Sequence, residues 1–448
     1  VLADLLLLCM FDSPRDSAKK LIMSGKYNAI KVKNAEKDVK LLFKNGLNEA
    51  PGSEFNFENI KKHLTDYYTK KIIIEVQLIL SEDCNLACKY CYCAVSPDQK
   101  FTGKMSKEVA RQAVDLLLSQ ETQQRSTITF FGGEPLLNQE TMNDCLEYSL
   151  KQGKLRNRQV GYSITTNATL LNEDSMDKIV KYNFGLLVSV DGPQSVHDAQ
   201  CPQKNGSGSF ELATKKIKQL MARRSVGVRA TLAHPLPNIS EVVDFFKEFG
   251  FHAAILGMAC NREGHKSDVD LTPEEIVDFA DQYTAFIPEI IEDLLAGKEP
   301  YFFPGRSFYY ALKEGTLPPS LYGMACGAGF RVVAVDQNGK LYPCAKFAGM
   351  ENWGIGSVTE GLDTEKCIDI WYRYQQAIQP HCGKCWAWGY CHGPCIWQCA
   401  CNDGSIKFSG VFCEVVKKSL EEAIYIFSSV KSQEKNSKNS ITAHQKEA

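Results

Sequence analysis

Between about residue 70 and residue 295, apolar runs with strand character alternate with amphipathic helical patterns, and this alternation limits the possible folds more than any other feature. A strand, a helix and a further strand in succession are typical of parallel strands joined by crossover helices. Six such units predict an α/β fold with a parallel sheet wrapped by helices. The periodicity does not distinguish an open sheet from a barrel. The predicted strands are Ile72–Leu80, Thr127–Phe131, Val160–Thr166, Gly185–Val190, Val226–Leu232 and His252–Leu256. The predicted helices cover residues 104–121, 138–151, 173–182, 209–223, 239–249 and 272–295.

Three cysteines, Cys84, Cys88 and Cys91, follow directly on the first predicted strand. Three thiolates can hold three irons of a cubane [4Fe–4S] cluster, which normally takes four cysteines. The fourth iron would then be open, and open metal positions are where chemistry takes place. Zinc ligands and buried core thiols are the alternatives. Structural zinc sites usually have four ligands, often as two CxxC pairs, so the spacing favours the cluster.

Glycines and polar residues follow several predicted strands, which is where sites in such folds lie. The run Gly132-Gly133-Glu134-Pro135 comes directly after the second strand. Its glycines let the backbone approach a ligand closely, and the carboxylate of Glu134 suits an ammonium group. Asn167 and Asp191 follow the third and fourth strands, and capping of turns is the alternative role for both. Arg229 lies inside the fifth strand, where an arginine usually pairs with a carboxylate.

A second group of cysteines lies toward the C-terminus. Cys326 precedes, and Cys344 follows, a predicted hairpin with an Asn338-Gly339 turn. Zinc ligation by a subset of these cysteines, as in a binding module, stays open. The seven cysteines of this group are Cys326, Cys344, Cys382, Cys385, Cys391, Cys395 and Cys413.

Together these motifs resemble a known family. The CxxxCxxC run with an aromatic residue before its last cysteine, followed by the GGEP run, resembles the radical SAM superfamily, and the distal cysteines resemble its SPASM domain. The resemblance covers about residues 72–430. It implies a partial (β/α)6 TIM-like barrel and a small cysteine-rich domain, with S-adenosylmethionine and three [4Fe–4S] clusters as cofactors. The implied ligands are Cys84, Cys88 and Cys91 for the cluster that binds S-adenosylmethionine, Cys382, Cys385, Cys391 and Cys413 for one auxiliary cluster, and Cys326, Cys344 and Cys395 for the other.

The resemblance also implies which residues contact S-adenosylmethionine. Glu134 is the implied partner of the methionine amino group, and Arg229 is the implied partner of the carboxylate. The loop after His197-Asp198 departs from the family pattern, because Cys201 stands where relatives often carry an arginine. The implied contact residues are Tyr90, Tyr92, Gly132, Gly133, Glu134, Pro135, Thr166, Asn167, Ser189, Asp191 and Arg229.

The second auxiliary set has only three cysteines. Residues 320–325 lack the fourth cysteine that sulfatase-maturing relatives carry just before the first one. Two interpretations stay open. Either a further cysteine such as Cys399 or Cys401 completes the set, or one iron is open to a substrate thiolate, for which iron has a soft-ligand affinity.

The resemblance implies an oxidoreductase-type enzyme that cleaves S-adenosylmethionine to a 5′-deoxyadenosyl radical and takes hydrogen from a peptide. The open auxiliary set favours a ribosomally made precursor peptide and a thioether between a cysteine sulfur and a carbon, as in sactipeptide and ranthipeptide maturation. A formylglycine-generating sulfatase maturase is an alternative, although Ala345 and Lys346 stand where an aspartate base is expected. A carbon–carbon crosslinking maturase and, from a different class, a zinc-binding scaffold are the others. No catalytic acid or base is assigned. The expected partners are a precursor with a leader and a flavodoxin-like or ferredoxin-like electron donor.

Composition and the chain ends complete the expectations. A net charge of −2 gives no reason to expect nucleic acid or a membrane as partner, and 18 cysteines in a long chain without an evident signal peptide favour a reducing cytoplasm. Residues 1–70 are expected to form a small α+β module, either a winged-helix-like element that recognises the precursor or a helical docking cap. Residues 71–300 are expected to form the barrel, 301–430 the SPASM domain and 431–448 a disordered tail. The other cysteines, Cys399 and Cys401 excepted, are expected to be small buried hydrophobic residues: Cys9, Cys93, Cys145, Cys201, Cys260 and Cys367.

Overall fold

The computed structural model describes most of the chain, and Cys9 and Cys93 lie outside the described residues. Within these residues, no helix has both the length and the apolar character needed to cross a membrane. The described residues are 13–44, 61–62, 64–66, 68, 73–92, 103–120, 125–260, 262, 267–314 and 326–444.

Six strands alternate with helices through the central part of the chain, as the sequence predicts. The strands are β1 (Glu75–Ser81), β2 (Ser126–Gly132), β3 (Val160–Thr166), β4 (Gly185–Ser189), β5 (Gly227–Leu232) and β6 (Ala253–Met258). The helices of this part are α3 (Lys107–Leu118), α4 (Gln139–Leu155), α5 (Glu173–Lys181), α6 (Gln194–Gln200), α7 (Phe210–Met221), α8 (Ile239–Phe249), α9 (Pro273–Gln282), α10 (Ile287–Leu295) and α11 (Arg306–Glu314). The predicted third strand has the observed bounds, and the others differ by a few residues.

Each strand from β2 to β6 pairs in parallel with the strand before it. The sheet order runs from β6 to β1 without a pairing between these two strands, so the barrel is incomplete. This confirms the expected α/β class and the partial barrel.

The two faces of the sheet have different side chains. In β2, Ile128 and Phe130 are fully buried, whereas Thr127 on the opposite face is half-buried. In β5, Val228 and Ala230 are buried, whereas Arg229 between them is exposed. Successive strand residues point to opposite faces, so one face packs on the helices and the other is polar and partly accessible. We call the polar, partly accessible face the inner face of the sheet. It is a surface that can bind a ligand.

The C-terminal cysteine region shares its sheet with the barrel. The predicted hairpin forms from β7 (Val332–Val335) and β8 (Leu341–Tyr342), which pair antiparallel. β7 also pairs in parallel with β1, with Glu75 opposite Val332, and extends the sheet to eight strands. The sheet therefore continues across the expected boundary near residue 300, and the division of the chain into domains stays a prediction.

The remaining elements cover the two ends of the chain. In the described part of residues 1–70, α1 (Pro14–Met23) and α2 (Ala29–Lys44) pack on each other, and no strand is present. A role of these helices in leader binding stays a prediction. The last helix reaches His444, whereas the sequence predicts a disordered tail from residue 431; the segment from residue 431 to residue 444 has no proline or glycine to end the helix. Residues 445–448 of the predicted tail lie outside the described residues. The C-terminal elements are β9 (Gly356–Ser357), β10 (Gly361–Leu362), α12 (Thr364–Cys382), α13 (Trp388–Cys391), α14 (Ile396–Cys399) and α15 (Cys413–His444).

Candidate active site

The first cysteine set lies on the loop that follows β1. Cys84, Cys88 and Cys91 are half-buried, and none of them is in a disulfide. The backbone N–H of Leu86 donates to Cys84 Sγ at 3.4 Å, and Asn167 Nδ2 donates to the same sulfur at 3.7 Å. Burial raises the pKa of Cys84 to about 12. Its thiolate therefore needs a positive charge beside it, which a bound iron would supply.

Two glycines at the end of β2 pack against the chain that leads into this set. The Gly133 N–H donates to the Ser81 carbonyl at 2.8 Å, and the Glu134 N–H donates to the Asp83 carbonyl at 3.0 Å. A Cβ on Gly132 would collide with the Ser81 carbonyl oxygen. A Cβ on Gly133 would lie 2.5 Å from the Asp83 carbonyl oxygen. The glycines thus let two strand-end loops meet. Their contact with a cofactor stays a prediction.

Glu134 lies buried between the ends of β2 and β3. Its carboxylate accepts hydrogen bonds from Thr166 Oγ1 at 2.8 Å, from the Asn167 N–H at 2.9 Å and from the Leu136 N–H at 3.0 Å. Burial raises the pKa of Glu134 to about 7, although these hydrogen bonds oppose the rise. A carboxylate can accept about four hydrogen bonds, so Glu134 retains capacity for one more donor. Its role as partner of an amino group stays a prediction.

Asn167 caps a turn, which is the alternative role that the sequence left open for it, and it also contacts the cysteine loop, while its contact with the cofactor stays a prediction. Its Oδ1 accepts from the Thr169 N–H at 3.0 Å, which is the turn-capping contact. Its Nδ2 donates to Asn85 Oδ1 at 3.0 Å, in addition to the contact with Cys84. The end of β3 therefore stabilises the cysteine loop directly.

A buried hydrogen-bond network lies beneath the cysteine loop and centres on Asp191. The carboxylate accepts from Tyr90 Oη at 2.7 Å, from the Thr231 N–H at 2.8 Å and from Cys201 Sγ at 3.3 Å. The Asp191 N–H donates to His197 Nδ1 at 3.2 Å. Burial raises the pKa of Asp191 and lowers that of His197. Tyr90 and Asp191, both predicted to contact the cofactor, thus bind each other, and the sequence did not predict the parts of Thr231 and Cys201.

The other predicted contact residues lie on the inner face or near it. Ser189 at the end of β4 is in register with Arg229 on β5. The exposed guanidinium of Arg229 forms no hydrogen bond or ion pair with the described residues, so a ligand carboxylate as its partner stays a prediction. Tyr92 packs edge-on against Trp397 of the C-terminal region, with ring centroids 6.0 Å apart.

The four-cysteine auxiliary set lines one cavity: Cys382, Cys385, Cys391 and Cys413. Three of these cysteines lie at helix ends: Cys382 ends α12, Cys391 ends α13 and Cys413 begins α15. Burial raises the pKa of Cys382 to about 12, and the neighbouring Cys391 and Cys413 thiols add to the rise. The donor set fits a four-thiolate cluster.

The three-cysteine auxiliary set, Cys326, Cys344 and Cys395, lies beside the β7–β8 hairpin. Burial raises the pKa of Cys344 to about 12, and the nearby Cys395 and Cys326 thiols add to it, so the structure brings these cysteines together. Cys326 and Cys395 are exposed. An iron held here would therefore be within reach of a substrate.

Cys399 lies between the two auxiliary sets. Burial raises its pKa to about 12, with further contributions from the thiols of Cys395, Cys413 and Cys401. It thus has a neighbour in each set, and completion of the three-cysteine set by Cys399 or Cys401 remains a prediction. Cys145 and Cys367 are buried away from the sets, as expected for small hydrophobic residues.

The spacing of the cysteines argues against a single zinc ion in any of the sets. At zinc–sulfur distances of about 2.3 Å, tetrahedral geometry puts the sulfurs about 3.8 Å apart. Within the described ranges, the only trio whose ligand atoms all lie within 4.8 Å of one another is Asp191, His197 and Cys201. Its compactness follows from the hydrogen bonds around Asp191. The wider cysteine sets fit cubane clusters, in which each thiolate binds a different iron.

Residues 78–249 match the family model described as the radical SAM superfamily. The serine-type anaerobic sulfatase-maturating enzyme of Bacteroides thetaiotaomicron is 26% identical over 347 residues, which are 70% of this chain and 80% of that protein. The mycofactocin maturase MftC of Mycobacterium tuberculosis is 26% identical over 330 residues, which are 71% of this chain and 76% of that protein.

Two solved structures share the fold. One is native anSMEcpe with bound AdoMet and Cp18Cys peptide, with a TM-score of 0.66 and 20% identity over 80% of this chain and 99% of that chain. The other is SuiB of Streptococcus suis bound to the precursor peptide SuiA, with a TM-score of 0.50 and 16% identity over 83% of this chain and 78% of that chain.

Proposed function

The chain belongs to the radical SAM superfamily and is an enzyme, and from this premise we propose that it joins a cysteine sulfur to a carbon within a ribosomally made precursor peptide. The similar proteins include maturases and a structure with a bound precursor peptide, which supports a peptide substrate. The thioether is the finer part of the proposal and rests on the auxiliary cysteines.

One observation carries this proposal: the three-cysteine set is accessible. Cys326 and Cys395 are exposed, whereas the four-cysteine set includes the buried Cys382. A cubane held by three thiolates has an iron without a protein ligand, and a thiolate is a ligand that iron prefers. An exposed site of this kind could hold the cysteine of a peptide in place for bond formation.

The chain's own residues fit the cofactors that the family implies. The half-buried thiols of Cys84, Cys88 and Cys91 would hold the first cluster, and the inner face of the sheet would receive S-adenosylmethionine beside them. When bound, these cofactors supply abstraction of a hydrogen atom from carbon and an acceptor for one electron. The Asp191 network and the glycine contacts with Ser81 and Asp83 hold the cysteine loop in position.

The reaction balances as a loss of two hydrogens from the peptide. One hydrogen atom leaves the carbon, and the cysteine thiol releases one proton as its sulfur binds that carbon. One electron is left over, and an auxiliary iron–sulfur cluster is the acceptor by chemical class.

Formation of formylglycine is the second candidate, because sulfatase maturases are among the similar proteins. The residues after Cys344 argue against the formation of formylglycine. Ala345 has no acidic group, and its N–H donates to Gln77 Oε1 at 3.0 Å, while the Lys346 ammonium lies 4.5 Å from the ring centroid of Trp397. Neither position offers a carboxylate base.

The test is anaerobic incubation of the reconstituted enzyme with S-adenosylmethionine, a reductant and a short cysteine-rich peptide encoded beside this chain. The peptide should lose the mass of two hydrogens for each crosslink, and one cysteine should become resistant to alkylation. Cys395→Ala should abolish this change and still form 5′-deoxyadenosine, because the first cysteine set is intact. Cys145→Ala, in a buried cysteine outside the sets, is the matched control and should behave as wild type.

Other products would refute the thioether. A loss of two hydrogens with all cysteines still open to alkylation would indicate a carbon–carbon crosslink. Replacement of a cysteine sulfur by oxygen would indicate formylglycine. Unchanged peptide with normal 5′-deoxyadenosine formation would exclude that peptide as substrate.

A further inference from the structure

The cysteine loop is hydrogen-bonded to the segment that follows α6. The Ala87 N–H donates to the Pro202 carbonyl at 2.8 Å, and the Lys89 N–H donates to the Gln200 carbonyl at 2.9 Å. One partner moves forward along the chain while the other moves back, so the two segments are antiparallel. These contacts join backbone groups, and they therefore hold the two segments together whatever the cysteine side chains bind.

The register of this pairing places Cys201 opposite Cys88. Leu86 forms an antiparallel bridge with Gln203, which fixes the register. The two hydrogen bonds lie one residue to either side of the two cysteines, which therefore form a non-hydrogen-bonded pair. The side chains of such a pair point to the same face, with Cα atoms about 4.5 Å apart. Disulfides form across Cα separations of about 4.4–6.8 Å, so the backbone suits a bond between these two sulfurs.

The side chains of the pair are also in contact. Contact with the Cys88 thiol, burial and the charge of Asp191 raise the pKa of Cys201. Tyr90 Oη lies 3.0 Å from Cys201 Sγ, which donates to Asp191 Oδ2 at 3.3 Å. Cys201 is buried, whereas Cys88 is half-buried. The buried network thus holds the Cys201 sulfur beside Cys88, which is the more accessible of the two.

We propose that Cys88 and Cys201 are a site of reversible oxidation by hydrogen peroxide, where they form a disulfide when Cys88 is not bound to iron. The Cys88 sulfur attacks the peroxide and becomes a sulfenic acid, and the O–O bond breaks to release one water. The Cys201 sulfur then attacks the Cys88 sulfur and forms the S–S bond, and the oxygen leaves as a second water. Two thiols lose two hydrogens in total, and one peroxide is reduced to two waters.

The disulfide protects a ligand of the first cysteine set. A sulfenic acid that finds no thiol is oxidised further to a sulfinic acid, which ordinary thiols do not reverse, whereas a disulfide is reduced by thiol exchange. After reduction, Cys88 is again available to iron. The proposal does not depend on which bond the enzyme forms in its peptide, so the two can fail separately.

The test starts from reconstituted enzyme that is treated with hydrogen peroxide until its iron is released. The protein is denatured in iodoacetamide, digested without reduction and analysed by mass spectrometry. Wild type should give a pair of peptides joined through Cys88 and Cys201, and dithiothreitol should return both cysteines to the thiol form. Enzyme kept anaerobic with its iron should give no such pair, because Cys88 is then an iron ligand.

Two variants separate the Cys201 thiol from its contacts. Cys201→Ser keeps a hydroxyl beside Tyr90 and Asp191 but cannot form a disulfide, and Cys201→Ala lacks both the thiol and the hydroxyl. In both variants peroxide should convert Cys88 to the sulfinic acid, a gain of two oxygens that dithiothreitol does not remove.

Cys145→Ala is the matched control, because Cys145 is a buried cysteine outside the sets, and it should behave as wild type. Two results would overturn the proposal. One is pairing of Cys88 with Cys84 or Cys91 in the wild type in place of Cys201. The other is equal recovery of the Cys88 thiol in wild type and in Cys201→Ser after dithiothreitol.

Discussion

The contact between the glycine loop and the cysteine loop can be tested by Gly133→Ala. A Cβ on Gly133 would lie 2.5 Å from the Asp83 carbonyl oxygen, whereas ordinary contact begins at 3.4 Å. The two loops must therefore separate by about 0.9 Å, the difference between these distances. The hydrogen bond from the Glu134 N–H to the Asp83 carbonyl would lengthen with them.

Both consequences have known magnitudes. Overpacking costs about 1–3 kcal/mol, and loss of a hydrogen bond costs about 1 kcal/mol, so we expect the variant to be less stable by about 2–4 kcal/mol. Because Asp83 directly precedes Cys84, the first cysteine set also moves. Misplacement of a reacting group by about 1 Å can cost about 10²-fold in rate. We expect 5′-deoxyadenosine formation to fall by about that factor.

The assay compares iron content after reconstitution, affinity for S-adenosylmethionine and the rate of 5′-deoxyadenosine formation. Gly185→Ala is the matched control, because a Cβ at Gly185 would meet Ser163 Oγ at 3.4 Å, an ordinary contact at the opposite end of the sheet. Wild-type values for all three measurements in Gly133→Ala would refute the idea that this contact positions the first cysteine set.

Three further predictions concern groups around the same loop. Burial raises the pKa of Glu134 from 4.5 to about 7, so the folded state binds a proton that the unfolded state releases, and stability should fall by about 3 kcal/mol as the pH rises through this window. Glu134→Gln should lack that slope in thermal unfolding, and equal slopes would contradict the expectation. Asp191→Asn should lose more stability than Tyr90→Phe in urea unfolding, because the amide leaves buried donors unsatisfied at about 1–3 kcal/mol, whereas the phenylalanine removes one hydrogen bond. Trp397→Leu should release iron from the first cysteine set faster than Trp397→Phe, which keeps an aromatic contact with Tyr92, and equal rates of release would show that this contact has no such role.

Local patterns in the sequence are sufficient to predict the barrel strands. In β3, apolar and polar residues alternate between Val160 and Thr166, and no other periodicity competes there, so the predicted and observed bounds agree. The same reasoning found the β7–β8 hairpin, because an Asn-Gly turn is a strong local signal.

Contacts between distant parts of the chain could not be predicted in this way. The parallel pairing of β7 with β1 joins Glu75 to Val332, and neither strand carries a signal for the other. The hydrogen bond between Tyr90 and Asp191 also joins residues that lie far apart in the sequence. Both residues were predicted from the family pattern as cofactor contacts, but a pattern of residue types does not show that two of them satisfy each other.

The position of β1 explains how the fold can hold two cysteine sets at a fixed separation. β1 pairs with β2, which carries the glycine loop, and with β7, whose hairpin leads to Cys344. Gln77 in β1 also accepts a hydrogen bond from the Ala345 N–H and donates to Glu75. Because β1 itself leads to Cys84, a single strand carries the first cysteine set and aligns the hairpin of the three-cysteine set. Hydrogen-bonded strands do not slide without breaking their ladder, so the distance between the two sites is set by the register of one sheet rather than by a flexible linker.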